Sequence, residues 1–131
     1  MNTLCANTEL GRARSKRTRL RPRYARVKCL PKGAAVNDGS RSETQLDDEF
    51  FRVTKWTIDP GGSIPMHTHE YEYVVIPLVT GTMHVVTSEG EEIVSELNTG
   101  ASYTRPAGSS HRIENRNSSL TITFVEVERL A

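Results

Sequence analysis

Residues 61–69 read GGSIPMHTH and residues 100–115 read GASYTRPAGSSHRIEN, and these two stretches decide the fold prediction. In an extended strand, residues i and i+2 project from the same face about 6–7 Å apart. His67 and His69 can therefore bind one ion together. His111 adds a third imidazole from a separate segment whose flanks, Gly108 and Ile113, also read as a turn that enters a strand. Three histidines that converge from separate strands have few packing explanations, so the pattern favours a metal site.

The sequence from Asp47 onward is typical of short β-strands. Turns rich in glycine, proline and asparagine leave little room for helices between these strands. This spacing predicts an all-β domain, an antiparallel sandwich or a small barrel. The segments richest in β-branched and aromatic residues are 50–58, 71–79, 82–87, 92–97 and 120–128.

The net charge of +1 over 131 residues hides a division of the chain. Residues 1–32 carry ten Lys and Arg against one acidic residue, a balance of +9, which leaves −8 for residues 33–131. Both cysteines, Cys5 and Cys29, lie in the basic part, so the remaining chain has no thiolate ligand to offer. We therefore predict a basic, largely disordered N-terminal arm over residues 1–38 and one barrel domain over residues 39–131.

Three interpretations of the basic arm stay open. Clustered arginines can neutralise phosphates, so nucleic acid is a partner that only this arm would contact. An Arg-rich, acid-poor segment also suits organelle targeting, and charge runs are most often simple solvated tails. The sequence shows neither a membrane-spanning run nor a secretory signal, and we expect a cytoplasmic protein without a membrane partner.

The two histidine stretches resemble the two motifs of the cupin family. The second motif matches at each specified position, and the first matches from its glycine through His-x-His. The resemblance covers about residues 47–128, and it implies an antiparallel double-stranded β-helix, the jelly-roll cupin barrel, often paired as a homodimer. The matching residues are Gly61, His67 and His69 in the first motif, and Gly100, Pro106, Gly108, His111 and Asn115 in the second.

The chain departs from the family pattern at the carboxylate that follows His-x-His. The family spacing puts a glutamate at position 73 or 74, where this chain has Tyr73 and Val74. Glu72 is one residue out of register and would face away from the histidines in a regular strand. A bulge between His69 and Gly81 would make Glu72 a fourth ligand. Without one, the site is a three-histidine face with open water positions.

Imidazole ligands of this kind suit Fe, Mn, Ni, Co or Zn as a divalent ion. Binding needs neutral rings, so we expect the metal affinity to fall on acidification through about pH 6. The cupin resemblance implies dioxygenase, isomerase or lyase chemistry, and it equally implies non-catalytic binding proteins. We predict a metal-dependent enzyme acting on a small chelating metabolite, with a ligand-binding sensor or storage module as the alternative.

Three further residues are candidates for the pocket. Arg105 offers a planar fork for a substrate carboxylate, or else forms a surface or intersubunit salt bridge. Tyr73 and Tyr103 can donate hydrogen bonds to a bound oxygen, or else line the barrel wall. More narrowly, residues 69–81 and 102–115 are similar to small single-domain cupins of β-alanine degradation, which suggests a small carboxylate ligand.

Overall fold

The computed structural model describes residues 38–131, and every structural statement below concerns that part of the chain. The predicted basic arm, apart from Asp38, lies outside the described residues, so its disorder and its partners stay predictions. The described residues form nine strands and no helix, and hence none that is long and apolar enough to cross a membrane. The strands are β1 (Ser40–Asp47), β2 (Phe51–Ile58), β3 (Ser63–Thr68), β4 (Tyr73–Pro77), β5 (Gly81–Thr87), β6 (Glu92–Leu97), β7 (Tyr103–Arg105), β8 (Ser110–Glu114) and β9 (Ile122–Arg129).

The strands pair into two antiparallel sheets. One sheet has the order β1-β2-β9-β4-β7, and the other has the order β3-β8-β5-β6. This confirms the predicted all-β jelly-roll class. Strand β1 was not predicted because its sequence, SRSETQLD, is almost entirely polar. It is an edge strand that pairs only with β2 and exposes most of its side chains, so no apolar alternation marks it.

The core lies between the inner faces of the two sheets. Strand β9 shows why the sequence folds this way: Ile122 and Phe124 alternate with outward residues and are 0% and 1% exposed. Burying an aromatic or branched side chain of this size contributes about 1.5–3 kcal/mol each. The buried apolar residues are Ile58, Ile64, Tyr73, Val75, Met83, Leu97, Ile113, Ile122 and Phe124.

One irregularity shifts the register between the strands that carry His67 and His111. The pairing of β3 with β8 shifts between Ile64 and His67, which is upstream of the segment where a bulge would have turned Glu72 towards the histidines. Strand β4 pairs with β9 in unbroken register, and Pro77 lies opposite Phe124. The β4 ladder therefore contains no such bulge, which agrees with the three-histidine alternative.

Asn115 ties the end of β8 to two other segments. Its side chain is 1% exposed, and Nδ2 donates to the carbonyls of Ile58 at 3.0 Å and Leu120 at 2.7 Å. Its Oδ1 accepts a hydrogen bond from the backbone N–H of Asn117 at 3.0 Å. Asn115 thereby satisfies two backbone carbonyls and one backbone N–H, and it secures the strand that presents His111.

Candidate metal centre

Two neighbouring strands and one loop hold the three histidines. His67 on β3 lies opposite His111 on β8, and His69 follows immediately after β3. The backbone N–H of His69 donates to Ser109 O at 3.0 Å, and the N–H of Gly108 donates to His69 O at 2.7 Å. Gly108 has φ of 85°, a left-handed conformation that favours glycine. This turn in the second motif therefore fixes the backbone of the first.

The side chains of the three histidines converge. Nε2 of His67 lies 3.0 Å from Nε2 of His69, which lies 3.2 Å from Nε2 of His111. The three candidate ligand atoms all fall within 4.8 Å of one another. Two ligands on bonds of ~2.1 Å lie ~3 Å apart when they occupy adjacent corners around an ion. These three residues could hold a metal ion.

The proton positions on these rings also fit a cation. His67 Nδ1 lies 2.8 Å from Pro65 O, and because a carbonyl only accepts, Nδ1 carries the hydrogen and Nε2 presents a lone pair. A neutral His69 ring has at most one hydrogen on Nε2, which can satisfy one of its two close contacts but not both. A cation between the rings would accept all three lone pairs, and the hydrogen bond to Pro65 would orient His67 for it.

Burial keeps two of the rings neutral. Burial, followed by the neighbouring His67 and His111, lowers the pKa of His69 to about 4. Burial, with smaller effects of His67 and Arg105, likewise lowers the pKa of His111 to about 4. A neutral imidazole is the form that binds metal, so both rings are ready to bind far below neutral pH. The fall in metal affinity expected near pH 6 should therefore extend to lower pH.

A small cavity of about 30 Å³ adjoins His111. All three predicted pocket residues, Tyr73, Tyr103 and Arg105, line it together with Glu126. Its size suits a carboxylate or another small group of a few atoms, since about 10–15 Å³ of such space already holds one water molecule. Arg105 lies at the exposed rim, with its guanidinium carbon 4.9 Å from the centre of the Tyr103 ring, and it forms no salt bridge with the described residues.

Tyr73 takes the position where the family motif carries glutamate. The ring is 3% exposed and stacks on His69, with the ring centres 4.0 Å apart. Burial raises the pKa of Tyr73 to about 12. Tyr73 thus offers the site a hydroxyl group that stays protonated at neutral pH, rather than an anionic ligand.

The structure does not bring Glu72 to the histidines. Its carboxylate lies on the surface and accepts a hydrogen bond from Arg129 at 2.9 Å, with 60% of the side chain exposed. The physical reason is the regular alternation into β4: Tyr73 faces inward, so its neighbour Glu72 faces outward. The fourth-ligand hypothesis for Glu72 finds no support in this geometry.

Two carboxylates on β9 were missed by the sequence analysis. Glu126 is 5% exposed, and Glu128 Oε1 lies 3.9 Å from Nδ1 of His69. The signal was present in the alternation of LTITFVEVE, since Glu126 and Glu128 share the parity of Ile122 and Phe124. An acidic residue at an inward position of a buried strand indicates a polar site rather than a core wall.

The two antiparallel sheets form a jelly roll that brings together histidines from both cupin motifs, and this arrangement is typical of a cupin. Comparison with family models gives the same result. Residues 54–128 match the cupin domain, so the chain belongs to the cupin family. The chain is also 38% identical over 84 residues to the β-alanine degradation protein BauB of Pseudomonas aeruginosa. That alignment spans 64% of this chain and 86% of BauB. The resemblance to small cupins of this kind is confirmed.

Solved structures agree on the fold. A cupin domain from Bordetella pertussis Tohama I is 38% identical, with a TM-score of 0.68, and the match covers 75% of this chain and 100% of that one. The polyketide cyclase RemF of Streptomyces resistomycificus has a TM-score of 0.57 at 23% identity, covering 80% of this chain and 72% of that one. The second likeness concerns the fold alone.

Proposed function

We propose that this chain is a metal-dependent cupin enzyme that acts on a small chelating metabolite with a carboxylate or carbonyl group. One observation carries the proposal: three ring nitrogens, on His67, His69 and His111, point at one another beside a small cavity that has polar side chains in its wall. Dioxygenase chemistry and isomerase or lyase chemistry both suit such a site. The ion is a divalent Fe, Mn, Ni, Co or Zn, because imidazole ligands suit each of them.

A bound ion would supply Lewis-acid polarisation of a chelated oxygen or, as iron, a site for oxygen chemistry. The residues of the chain divide the remaining tasks. Arg105, at the rim, pairs its guanidinium fork with the carboxylate of the ligand. Tyr73 and Tyr103 donate hydrogen bonds to its oxygens from the cavity wall, and the apolar residues behind them exclude water.

The class of ligand is supported from two directions. The cavity of about 30 Å³ admits a group of a few atoms. BauB, the curated relative at 38% identity, is named for β-alanine degradation, and β-alanine is a small carboxylate. A three-carbon or four-carbon acid that can chelate through a second oxygen or nitrogen is therefore the substrate class that we propose.

The test begins with the metal. Elemental analysis of protein purified without chelators should find about one divalent ion per chain, and His69→Ala should abolish it while His84→Ala retains it. His84 is the matched control because it lies on β5 and faces Glu92 at 3.4 Å, away from the three converging rings. Wild-type protein that takes up no added metal would exclude the proposed enzyme.

The second step screens ligands on the metal-loaded protein. Small carboxylates and diketones should displace a chelating dye, and Arg105→Gln should weaken the carboxylates more than the neutral diketones. Conversion of a bound compound identifies an enzyme. Tight binding of a carboxylate without its conversion would favour the sensor or storage module, which uses the same site.

Assembly and location stay predictions. A homodimer is supported by β6, an edge strand that exposes Ile93 at 40% and Val94 at 56%, since exposed apolar edges favour pairing with a second copy. Light scattering after size exclusion measures the mass directly. The cytoplasmic location and nucleic-acid binding by residues 1–38 also stay predictions. A salt titration of nucleic-acid binding by full-length and arm-deleted protein would test the second.

A further inference from the structure

Glu126 is an acidic residue on the inner face of the five-stranded sheet, which is unusual for a buried position. It follows Ile122 and Phe124 on the inward side of β9, is 5% exposed, and lines the same cavity as His111 and Arg105. Its Oε2 accepts a hydrogen bond from Trp56 Nε1 at 3.1 Å, while Oε1 accepts none from the described residues. One carboxyl oxygen is thus held in place and the other is free towards the cavity.

No cation compensates this carboxylate within residues 38–131. Its neighbour Glu128 has Arg52 at 3.5 Å and His69 at 3.9 Å, whereas Glu126 forms no such pair. Burying an ionised carboxylate without a partner is costly, so a residue that served only as the acceptor for Trp56 would be better as glutamine. An uncompensated carboxyl that lines a cavity beside a candidate metal centre is a candidate for proton exchange.

We propose that Glu126 is the proton-transfer residue of this pocket, exchanging a proton through Oε1 with a small chelating ligand bound beside His111. This inference deepens the proposed function and rests on it. In the forward step, an O–H, N–H or C–H bond of the ligand breaks and its electron pair stays on the ligand. The proton forms an O–H bond at Oε1, and it returns to the ligand or to solvent afterwards.

The electrostatic surroundings of Glu126 agree with this role. Burial is the main cause that raises the pKa of Glu126 to about 7, the hydrogen bond from Trp56 opposes it, and the Glu128 charge adds to it. A group with a pKa near neutrality can both take and give a proton under working conditions. The other titratable or charged residues that line its cavity are Tyr73 on β4, Tyr103 and Arg105 on β7, and His111 on β8. Arg52 on β2 pairs with the neighbouring Glu128.

The first measurement observes the proton without any metal. Infrared spectra of the wild type, followed between about pH 5 and 9, should show a protonated-carboxyl band that titrates near neutral pH. The band should be missing in Glu126→Gln and present in Glu96→Gln, a matched variant at an exposed position on β6. Trp56→Phe should move the titration to higher pH, because it removes the bond that lowers the pKa. A wild type without this band overturns the proposal.

The second measurement follows the proton to a ligand. Acetohydroxamic acid, a chelating probe that loses a proton when it binds a metal, is titrated into metal-loaded protein by calorimetry in two buffers of different ionisation enthalpy. At about pH 8, the wild type should release fewer protons to the buffer than Glu126→Gln, by up to about one per site. Glu96→Gln should match the wild type.

The outcomes distinguish the role of Glu126 from the proposed function of the chain. Equal proton release by the wild type and Glu126→Gln, with equal affinity for the probe, overturns the role of Glu126 and leaves the proposed function standing. Absence of probe binding in both proteins overturns the proposed function and this inference with it. Because glutamine can still accept the hydrogen bond from Trp56, Glu126→Gln should fold, and its melting curve checks this directly.

Discussion

His67 and His111 lie directly opposite each other across the ladder between β3 and β8. Opposite residues of an antiparallel pair have Cβ atoms about 4.5–5.5 Å apart, so the distance between these rings is set by sheet geometry rather than by a flexible loop. His69 joins them through the backbone bonds that it forms with Ser109 and Gly108. The candidate metal centre is therefore built into the sheet and needs little reorganisation to bind an ion.

Removal of one ring from this pair should cost most of the metal affinity. We expect His111→Gln to weaken binding by more than ~100-fold, since even residues that only support a ligand contribute ~10–100-fold. Competition against a fluorescent chelator measures the change, with Zn or Ni as the added ion. His84→Gln should bind as the wild type does. An unchanged affinity in His111→Gln would contradict the three-histidine site.

Stability should decrease as the pH falls from about 6.5 to about 4 in protein kept free of metal by a chelator. In this window the unfolded state protonates its histidines, whose ordinary pKa is 6.5, while His69 and His111 stay neutral until about 4. The unfolded state then binds more protons, which favours unfolding. A shift of this size corresponds to ~3 kcal/mol for one isolated buried ring.

Urea unfolding at several pH values measures this effect. His111→Gln should reduce the loss of stability across the window, because glutamine does not titrate. A pH dependence that is the same in the wild type and in His111→Gln would show that the buried ring of His111 does not cause it.

The ring of Tyr73 should contribute more to the stability of the fold than its hydroxyl does. We expect Tyr73→Ala to destabilise by about 3–5 kcal/mol, because it removes a buried ring that stacks on His69. Tyr73→Phe preserves the stack and should stay within about 1.5 kcal/mol of the wild type. Chemical denaturation of both variants measures the difference.

Tyr73→Phe also separates the packing role of Tyr73 from its role in binding a ligand. Tyr73→Phe should keep the metal affinity but weaken a bound carboxylate or diketone, because the donor to the ligand is lost. Tyr71→Phe, at a half-buried position outside the cavity lining, is the control. A Tyr73→Phe protein that binds every ligand as the wild type does would assign Tyr73 to packing alone.

The parts of this fold that local chemistry dictates could be predicted. Segments with β-branched residues became β2, β4, β5, β6 and β9, and the spacing of glycine and histidine in two motifs located His67, His69 and His111. Strand β1 escaped because its polar residues are stabilised by pairing with β2, which no local pattern reveals. Tertiary pairing decided that element, and local propensity did not.

The features of the site that the sequence did not predict also have a physical explanation. Whether Glu72 faced the histidines depended on one register shift, and the shift occurs in β3 rather than before β4. A slip of one residue reverses every side chain of a strand, so sequence spacing alone could not decide it. Glu126 is a different case: the alternation of β9 indicated its inward position, but its cavity neighbour Arg105 is 21 residues away along the chain, and only the sheet brings the two together.

Asn115 provides a test of the scaffold that supports His111. Asn115→Asp replaces a donor by an acceptor, so the carbonyls of Ile58 and Leu120 would face a carboxylate inside the protein. We expect this change to destabilise by more than the ~1–3 kcal/mol that one unsatisfied buried group costs, and to exceed the effect of Asn115→Ala. Thermal unfolding measures both variants beside Asn98→Asp, an exposed position that should tolerate the same charge.

Asn115 also fixes the end of β8, so Asn115→Ala should weaken metal binding although it removes no ligand. A variant that loses stability but keeps full metal affinity would show that the histidine cluster does not depend on Asn115.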